Sequence, residues 1–272
     1  MRMFPSGSLP DFRCVLITGA SSGLGLEYAR QLAPRVGTLI LVARREKLLE
    51  QIASKLVKEH PHLSVKIFAS DLGDATGRNH LLNALSQEEL YLDCLVNNAG
   101  MGDYGEFRTS EWTKTGQMIR LNMEALTHLT HALLPGLMAR GGAILNVSSL
   151  ASVLPIPDFA VYAATKSYVT SFSEALRLEL RHQGVRVLAV CPGPIKTGFG
   201  EAARRDPKSK LPVQEAFYVR ADKIVRDSIK ALLDDRPRLY PGFKIAAAAA
   251  LIGILPIAAV RLLMSARPRR SD

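Results

Sequence analysis

A tyrosine and a lysine four residues apart, Tyr162 and Lys166, form the pair in this chain best suited to moving a proton. In a helix that spacing sets both side chains on one face, roughly 5–6 Å apart at Cβ. An ammonium beside a phenol favours the phenolate, so the tyrosine pKa is expected below its ordinary value of about 10. Taken alone, the pair also fits an ordinary helix surface. Its meaning depends on the elements that hold it.

Those elements alternate. Residues 13–18 form a short apolar run rich in β-formers, read as a buried parallel strand. Thr18-Gly19-Ala20-Ser21-Ser22-Gly23-Leu24-Gly25 follows at once and leads into a helical pattern. Strand, glycine-rich turn and helix make a phosphate cradle. Gly19 permits the tight turn, Gly23 lets backbone approach an anion, and Gly25 lets helix pack closely on sheet. Ser21, Ser22 and Leu24 belong to the same cradle, whose helix N-terminus offers free N–H groups to a pyrophosphate. A plain tight strand–helix connection remains the alternative. The second strand, residues 38–43, ends in Arg44-Arg45 with no carboxylate before Glu46. A dinucleotide fold that reads a ribose 2′-OH uses an acid near this point, whereas guanidinium groups suit a 2′-phosphate. The expected cofactor is therefore NADP(H) rather than NAD(H). A solvated helix start at residues 45–47 is the other reading.

A helix over 46–60, a strand over 65–70 and a helix over 79–87 come next, with Asp71 and Leu72 just past the strand's carboxyl end. The strand at 93–96 runs into Asn97-Asn98-Ala99-Gly100, where paired asparagines can tie strand ends together and line a cofactor groove. One long helical region spans 111–140 and holds Asn122, a mediocre helix former. The strand at 143–147 ends in Ser148-Ser149. The loop 150–159 precedes the helix carrying Tyr162 and Lys166, which runs to about 182. The strand at 185–190 ends in Cys191-Pro192-Gly193-Pro194-Ile195-Lys196-Thr197. Charged, proline-bearing residues 198–219 are read as a lid or a mobile binding segment, followed by a helix over 221–233 and a short strand near 238–240. This alternation predicts an α/β fold: a single Rossmann-like, doubly wound parallel sheet with helices on both faces. It occupies 13–242, after an extension over 1–12 and before a segment over 243–272.

Bulk properties narrow the function classes. The 272 residues are 47% hydrophobic, enough for a sizeable core, and carry a formal net charge of +10. No basic run interleaved with aromatics occurs, so no nucleic-acid partner is expected. Cys14, Cys94 and Cys191 lie in apolar strand-like runs without a Cys-x-x-Cys, which reads as reduced core thiols of a cytoplasmic protein. The first thirteen residues hold no long apolar run, so no cleavable signal is expected. His60, His62, His128, His131 and His182 make no metal constellation, and no metal is expected.

Thr18-Gly19-x-x-x-Gly23-x-Gly25, Asn97-Asn98-Ala99-Gly100, Ser149, Tyr162-x-x-x-Lys166 and Pro192-Gly193 occur in that order. In this combination the chain resembles the short-chain dehydrogenase/reductase family over residues 13–240. The resemblance implies Tyr162 as general acid/base and Lys166 as the residue that lowers its pKa and holds the nicotinamide ribose. It implies Ser149 as the hydrogen-bond donor to the substrate oxygen, with Ser148 its nearest substitute, and Asn122 as the holder of a water in a proton relay. For the cofactor it implies the Gly19–Gly25 loop, Arg44 for the NADP(H) preference, and Asp71 and Leu72 near the adenine. Asn98, Ala99 and Gly100 complete the groove, with Pro192, Gly193, Ile195 and Thr197 at the nicotinamide end. The implied reaction is hydride transfer between nicotinamide and a carbonyl or secondary alcohol. Helices over 110–140 and 162–182 resemble those through which many members form homodimers or homotetramers. The alternatives are a non-catalytic NADPH-binding redox sensor or scaffold at a membrane and a relative that uses the hydride transiently.

Residues 245–260 form 16 consecutive uncharged positions between Lys244 and Arg261. As one helix they would measure about 24 Å, short of the ~30 Å hydrocarbon core, with a kink at Pro256. Three readings stay open: a cover over the substrate pocket or subunit seam, a peripheral membrane anchor assisted by Arg267, Arg269 and Arg270, or a span. The first two favour a lipophilic substrate, fatty-acyl or steroid-like in kind.

Overall fold

The computed structural model describes residues 12–205 and 217–265. Seven parallel strands lie in the order β3-β2-β1-β4-β5-β6-β7: β1 (Cys14–Thr18), β2 (Thr38–Ala43), β3 (Ser64–Ala69), β4 (Cys94–Asn97), β5 (Ala143–Val147), β6 (Arg186–Val190) and β7 (Arg238–Leu239). The expected α/β sheet, Rossmann-like and doubly wound, is the fold observed. The strand order reverses between β1 and β4, and a crevice at such a switch is where open α/β sheets bind ligands.

Two apolar layers follow from the two-residue period of the strands. On one face Val15, Ile17, Leu39, Leu41, Leu145 and Leu188 pack with Leu24 and Tyr28 of α1 (Gly23–Leu32), Leu49 of α2 (Glu46–Glu59) and Ile224 of α8 (Ala221–Leu233). On the other face Leu16, Ile40, Leu95, Ile144 and Val187 meet Leu81 of α3 (Ala75–Gln87), Leu129 of α5 (Leu126–Arg140) and Leu176 of α6 (Ala160–Leu180). The inner strands β1, β2, β4, β5 and β6, covered on both sides, read as nearly continuous apolar runs, whereas the edge strand β3 carries Lys66 and has no buried residue. The three cysteines are free and buried.

Several boundaries differ from the sequence expectation. The helix expected over 79–87 starts four residues earlier, at Ala75, with Asp74 in extended conformation ahead of it. The region 111–140 is not one regular helix. It comprises α4 (Trp112–Ile119), a π-helical turn (Arg120–Ala125) and α5. Asn122 lies in that π turn, a local widening of the helix. The apolar run 245–260 is also divided. Leu255 is extended before Pro256, and α9 (Phe243–Ile254) and α10 (Ile257–Ser265) meet at a 120° bend. A proline has no N–H to continue the helix and drives the preceding residue out of the helical region. Of the expected lid, α7 (Gly198–Ala203) is described, while 206–216 lie outside the described residues, as do 1–11 and the tail arginines.

Candidate active site

The glycine turn after β1 is shaped by close approach. Gly19 has φ +66°, and a Cβ on Gly25 would fall 2.2 Å from the Gly19 carbonyl oxygen and 2.6 Å from Asn98 Nδ2. Neither position admits a larger residue without moving backbone. Gly23 has φ +56° and faces the Thr197 side chain. No side chain caps the N-terminus of α1, and its first turn holds no acid. The uncapped helix-start amides and the partial positive charge there suit a phosphate. The residues present thus fit a dinucleotide pyrophosphate.

The other expected cofactor residues border the same carboxyl edge. Arg45 donates to the hydroxyls of Ser21 (2.9 Å) and Ser22 (3.1 Å), which lays its guanidinium on the glycine loop. Arg44 reaches Asp71 at 3.8 Å, and both remain largely exposed. A cleft of about 450 Å³ opens here between Arg44, Asp71, Met101 and Arg120. Leu72 turns its side chain into the core, and its carbonyl accepts from buried Arg78. Asn98 donates to the carbonyls of Thr18 and Gly19, while Thr18 Oγ1 accepts from the amides of Asn98 and Ala99. Asn97 joins β4 to β5 through Asn146 Oδ1 at 2.9 Å. The asparagine pair therefore ties strand ends together. Past β6, the Pro192 carbonyl accepts from the Leu150 amide, Gly193 lies under Ile245, Ile195 packs on the core, and Thr197 precedes α7.

Ser149, Tyr162, Lys166 and Asn122 come together beside this edge. Lys166 is buried, its Nζ donating to the Val147 carbonyl at 2.9 Å and lying 5.9 Å from the centroid of the Tyr162 ring. A Cβ built on Gly100 would lie 3.2 Å from Asn122 Oδ1 and 3.5 Å from Lys166 Nζ, so both polar groups border that glycine. Asn122 Oδ1 accepts from the Met101 amide, and its Nδ2 donates to the Met101 carbonyl and Thr165 Oγ1. It thereby braces the loop after β4 against α6. Ser149 Oγ accepts from the Ala151 amide and lies close enough to the Tyr162 phenol to favour its ionised form. Ser148, the neighbour, is instead buried, with its hydroxyl on the Lys166 carbonyl and Thr170.

The expectation of a lowered tyrosine pKa is not met. Burial pushes the Tyr162 phenol up to about 12, with Ser149 pulling the other way. Burial drives Lys166 down to about 8. Desolvation penalises both charged forms, and the ammonium is bonded to a backbone carbonyl rather than to the phenol oxygen.

Two features had no clear sequence signal. Tyr104, Phe159 and Phe199 wall in Tyr162, with successive ring centroids 4.9, 5.4 and 5.7 Å apart along Tyr104–Phe159–Tyr162–Phe199. Phe199 lies on α7, which is latched to the loop after β4. Buried Asp103 accepts from Arg205 Nε at 3.0 Å and pairs with Lys114 at 2.9 Å, and the Tyr104 amide donates to the Ala203 carbonyl. Arg205 further donates to the Glu106 carbonyl and Thr109. In the sequence Arg205 stood out only as one of the charged residues of the stretch 198–219. His128 accepts from Arg78, and no cluster of metal-ligating side chains occurs among the described residues.

Comparison with known proteins agrees with this arrangement. A family model described as short chain dehydrogenase matches residues 13–208. The very-long-chain 3-oxoacyl-CoA reductase of Anas platyrhynchos is 32% identical over 211 residues, 76% of this chain and 66% of that protein. Sulfoacetaldehyde reductase 2 of Chromohalobacter salexigens is 35% identical over 191 residues, 68% and 73% of the two chains. The chain spans about two thirds of the length of the first of these relatives. Among solved structures, a short-chain dehydrogenase from Sphingobium yanoikuyae in complex with NADPH is 31% identical, with a TM-score of 0.78 over 96% of this chain and 99% of that one. The bulky-bulky ketone specific alcohol dehydrogenase from Comamonas testosteroni is 26% identical, with a TM-score of 0.76 over 96% and 97%. Matched over most of its length and built on the same parallel sheet, this chain belongs to the short-chain dehydrogenase family.

Proposed function

We propose that the protein is an NADP(H)-dependent oxidoreductase that interconverts a carbonyl and a secondary alcohol on a lipophilic substrate. The observation that carries this reading is the convergence of Ser149, Tyr162 and Lys166 beside the glycine turn, under an aromatic wall. Arg44 and Arg45 support the phosphorylated cofactor, since one lies on the glycine loop and the other stands at the mouth of the adjoining cleft. The NADPH bound by the Sphingobium relative points the same way. Tyr104, Phe159 and Phe199 support an apolar substrate, as do the relatives that act on 3-oxoacyl-CoA and bulky ketones.

When bound, the nicotinamide supplies or accepts the hydride. This chain's residues manage the oxygen and its proton. In reduction the carbonyl carbon gains the hydride, the C=O π pair moves to oxygen, and oxygen takes the Tyr162 proton. With the phenol pushed up to about 12, Tyr162 is protonated at neutral pH and ready to donate. Positioned acid catalysis of this kind contributes about 10²–10⁴-fold. Ser149 donates to the same oxygen, and losing one such donor costs roughly 3–4 kcal/mol. Lys166, held beside the phenol, stabilises the tyrosinate that donation leaves.

The test is loss of reduced-nicotinamide absorbance with NADPH and ketones of graded chain length, repeated with Tyr162→Phe. Turnover that rises with chain length and vanishes in the variant, with NADPH still bound, is the expected result. Retained turnover in Tyr162→Phe removes the assigned acid. Tight NADPH binding without turnover on any carbonyl favours the non-catalytic scaffold.

A further inference from the structure

We propose that α9 and α10 form a foot that lies in the surface of an anionic membrane. Phe243, Leu251, Ile254, Ile257, Leu262 and Leu263 are among the most exposed large apolar side chains described, with Phe243 at 88% and Ile254 at 79%. On α9 Phe243, Ala247, Ala250, Leu251 and Ile254 recur at helical spacing and make one exposed stripe, flanked by further exposed positions at Lys244, Ala246 and Gly253. Only Ile245, Ala249 and Val260 are buried, and these fasten the pair to the body. A Cβ on Gly193 would meet Ile245 Cδ1 at 2.4 Å, so the foot is seated on the loop beyond β6, next to the candidate active site.

Shape and charge together select the occupant. Neither helix is long enough to cross a bilayer, and their 120° bend suits an element lying in the interface. Residues 243–265 contain no Asp or Glu and carry Lys244 and Arg261, both exposed. The sequence beyond them adds Arg267, Arg269 and Arg270. A seam formed by these two helices from each of two copies would set cations against cations, since neither helix holds an acid. Anionic headgroups neutralise them while the stripe enters the acyl boundary.

The test is flotation of the full-length protein with vesicles of phosphatidylcholine alone and of phosphatidylcholine mixed with phosphatidylserine. It is repeated in high salt and with the double variant Ile254→Glu, Leu262→Glu. The protein is expected to float with the mixed vesicles, less so in high salt, and the variant to lose binding by on the order of tenfold or more. Circular dichroism and thermal unfolding matched to the wild type show that the variant is folded. Wild type left at the bottom with both vesicle types overturns the proposal. A wild-type dimer that the variant disperses, without flotation of either, assigns the face to a second copy instead. Equal flotation with neutral vesicles overturns the anionic preference. None of these readings uses turnover, so their outcome is independent of the proposed activity.

Discussion

The latch on α7 gives the most searching test of the site. Asp103→Asn keeps the shape of the side chain and removes its charge. The Asp103 side chain is 3% exposed, whereas Arg205 and Lys114 keep 24% and 29% of theirs exposed. Breaking a fully buried pair costs about 3–5 kcal/mol, because the partner is left charged and unpaired. Here water reaches both cations and takes up part of that loss, so about 2 kcal/mol is expected. For a domain of this size that corresponds to a fall of about 4–8 °C in Tm, read by scanning calorimetry. Arg205→Gln also removes the bonds to the Glu106 carbonyl and Thr109, and Asp103→Asn also removes the charge paired with Lys114, so the double variant should lose less than the sum of the two single losses by the one ion pair they share. Burial raises the Asp103 carboxyl, but Arg205 and Lys114 outweigh it and hold it below the usual carboxylate range. Its contribution is therefore complete above an ordinary aspartate pKa of about 3.9 and is lost as pH falls through the lowered folded value. The wild-type advantage should vanish in that acid range. With Phe199 no longer held over Tyr162, KM for an apolar ketone should change more than kcat. A variant with wild-type Tm and wild-type KM would refute the latch. Additive losses in the double variant would show that Asp103 and Arg205 act separately.

Three further outcomes follow from the geometry. Arg44→Ala and Arg45→Ala should each weaken NADPH by on the order of tenfold or more, a charge-assisted hydrogen bond to phosphate being worth about 1.5–3 kcal/mol, and leave NADH nearly unchanged in a fluorescence titration. Equal losses for both cofactors would mean that the arginines brace the glycine loop through Ser21 and Ser22 rather than read a phosphate. Gly25→Ala puts a methyl 2.2 Å from the Gly19 oxygen, and the required backbone shift should cost roughly 1–3 kcal/mol by denaturant unfolding and abolish NADPH binding. Lys166, driven to about 8 in the fold, ionises more readily in the unfolded chain. The stability of the wild type relative to Lys166→Met should therefore rise from about pH 8 towards the ordinary lysine value of about 10.4. A flat difference would mean that the buried amine is as readily protonated as a free one.

What the letters alone determined is local. Val15, Leu16 and Ile17 made β1 legible because a strand covered on both faces has no polar side to show. Gly19, Gly23 and Gly25 marked the cradle because a tight turn and a close helix leave no room for Cβ. Tyr162 and Lys166 share a helix face because the helical period brings residues four apart together. Tertiary structure decided the rest. The direction of the Tyr162 shift turns on burial, which includes the ring of Phe199, 37 positions away, and not on the lysine one turn along. The latch joins Asp103 to Arg205 across 102 positions. The π turn at Asn122 accompanies hydrogen bonds to Met101 and Thr165, neither of them a near neighbour in sequence. Spacing along a chain follows from the regular period of its helices and strands. Desolvation and ion pairing depend instead on separations between segments that only the folded packing brings close.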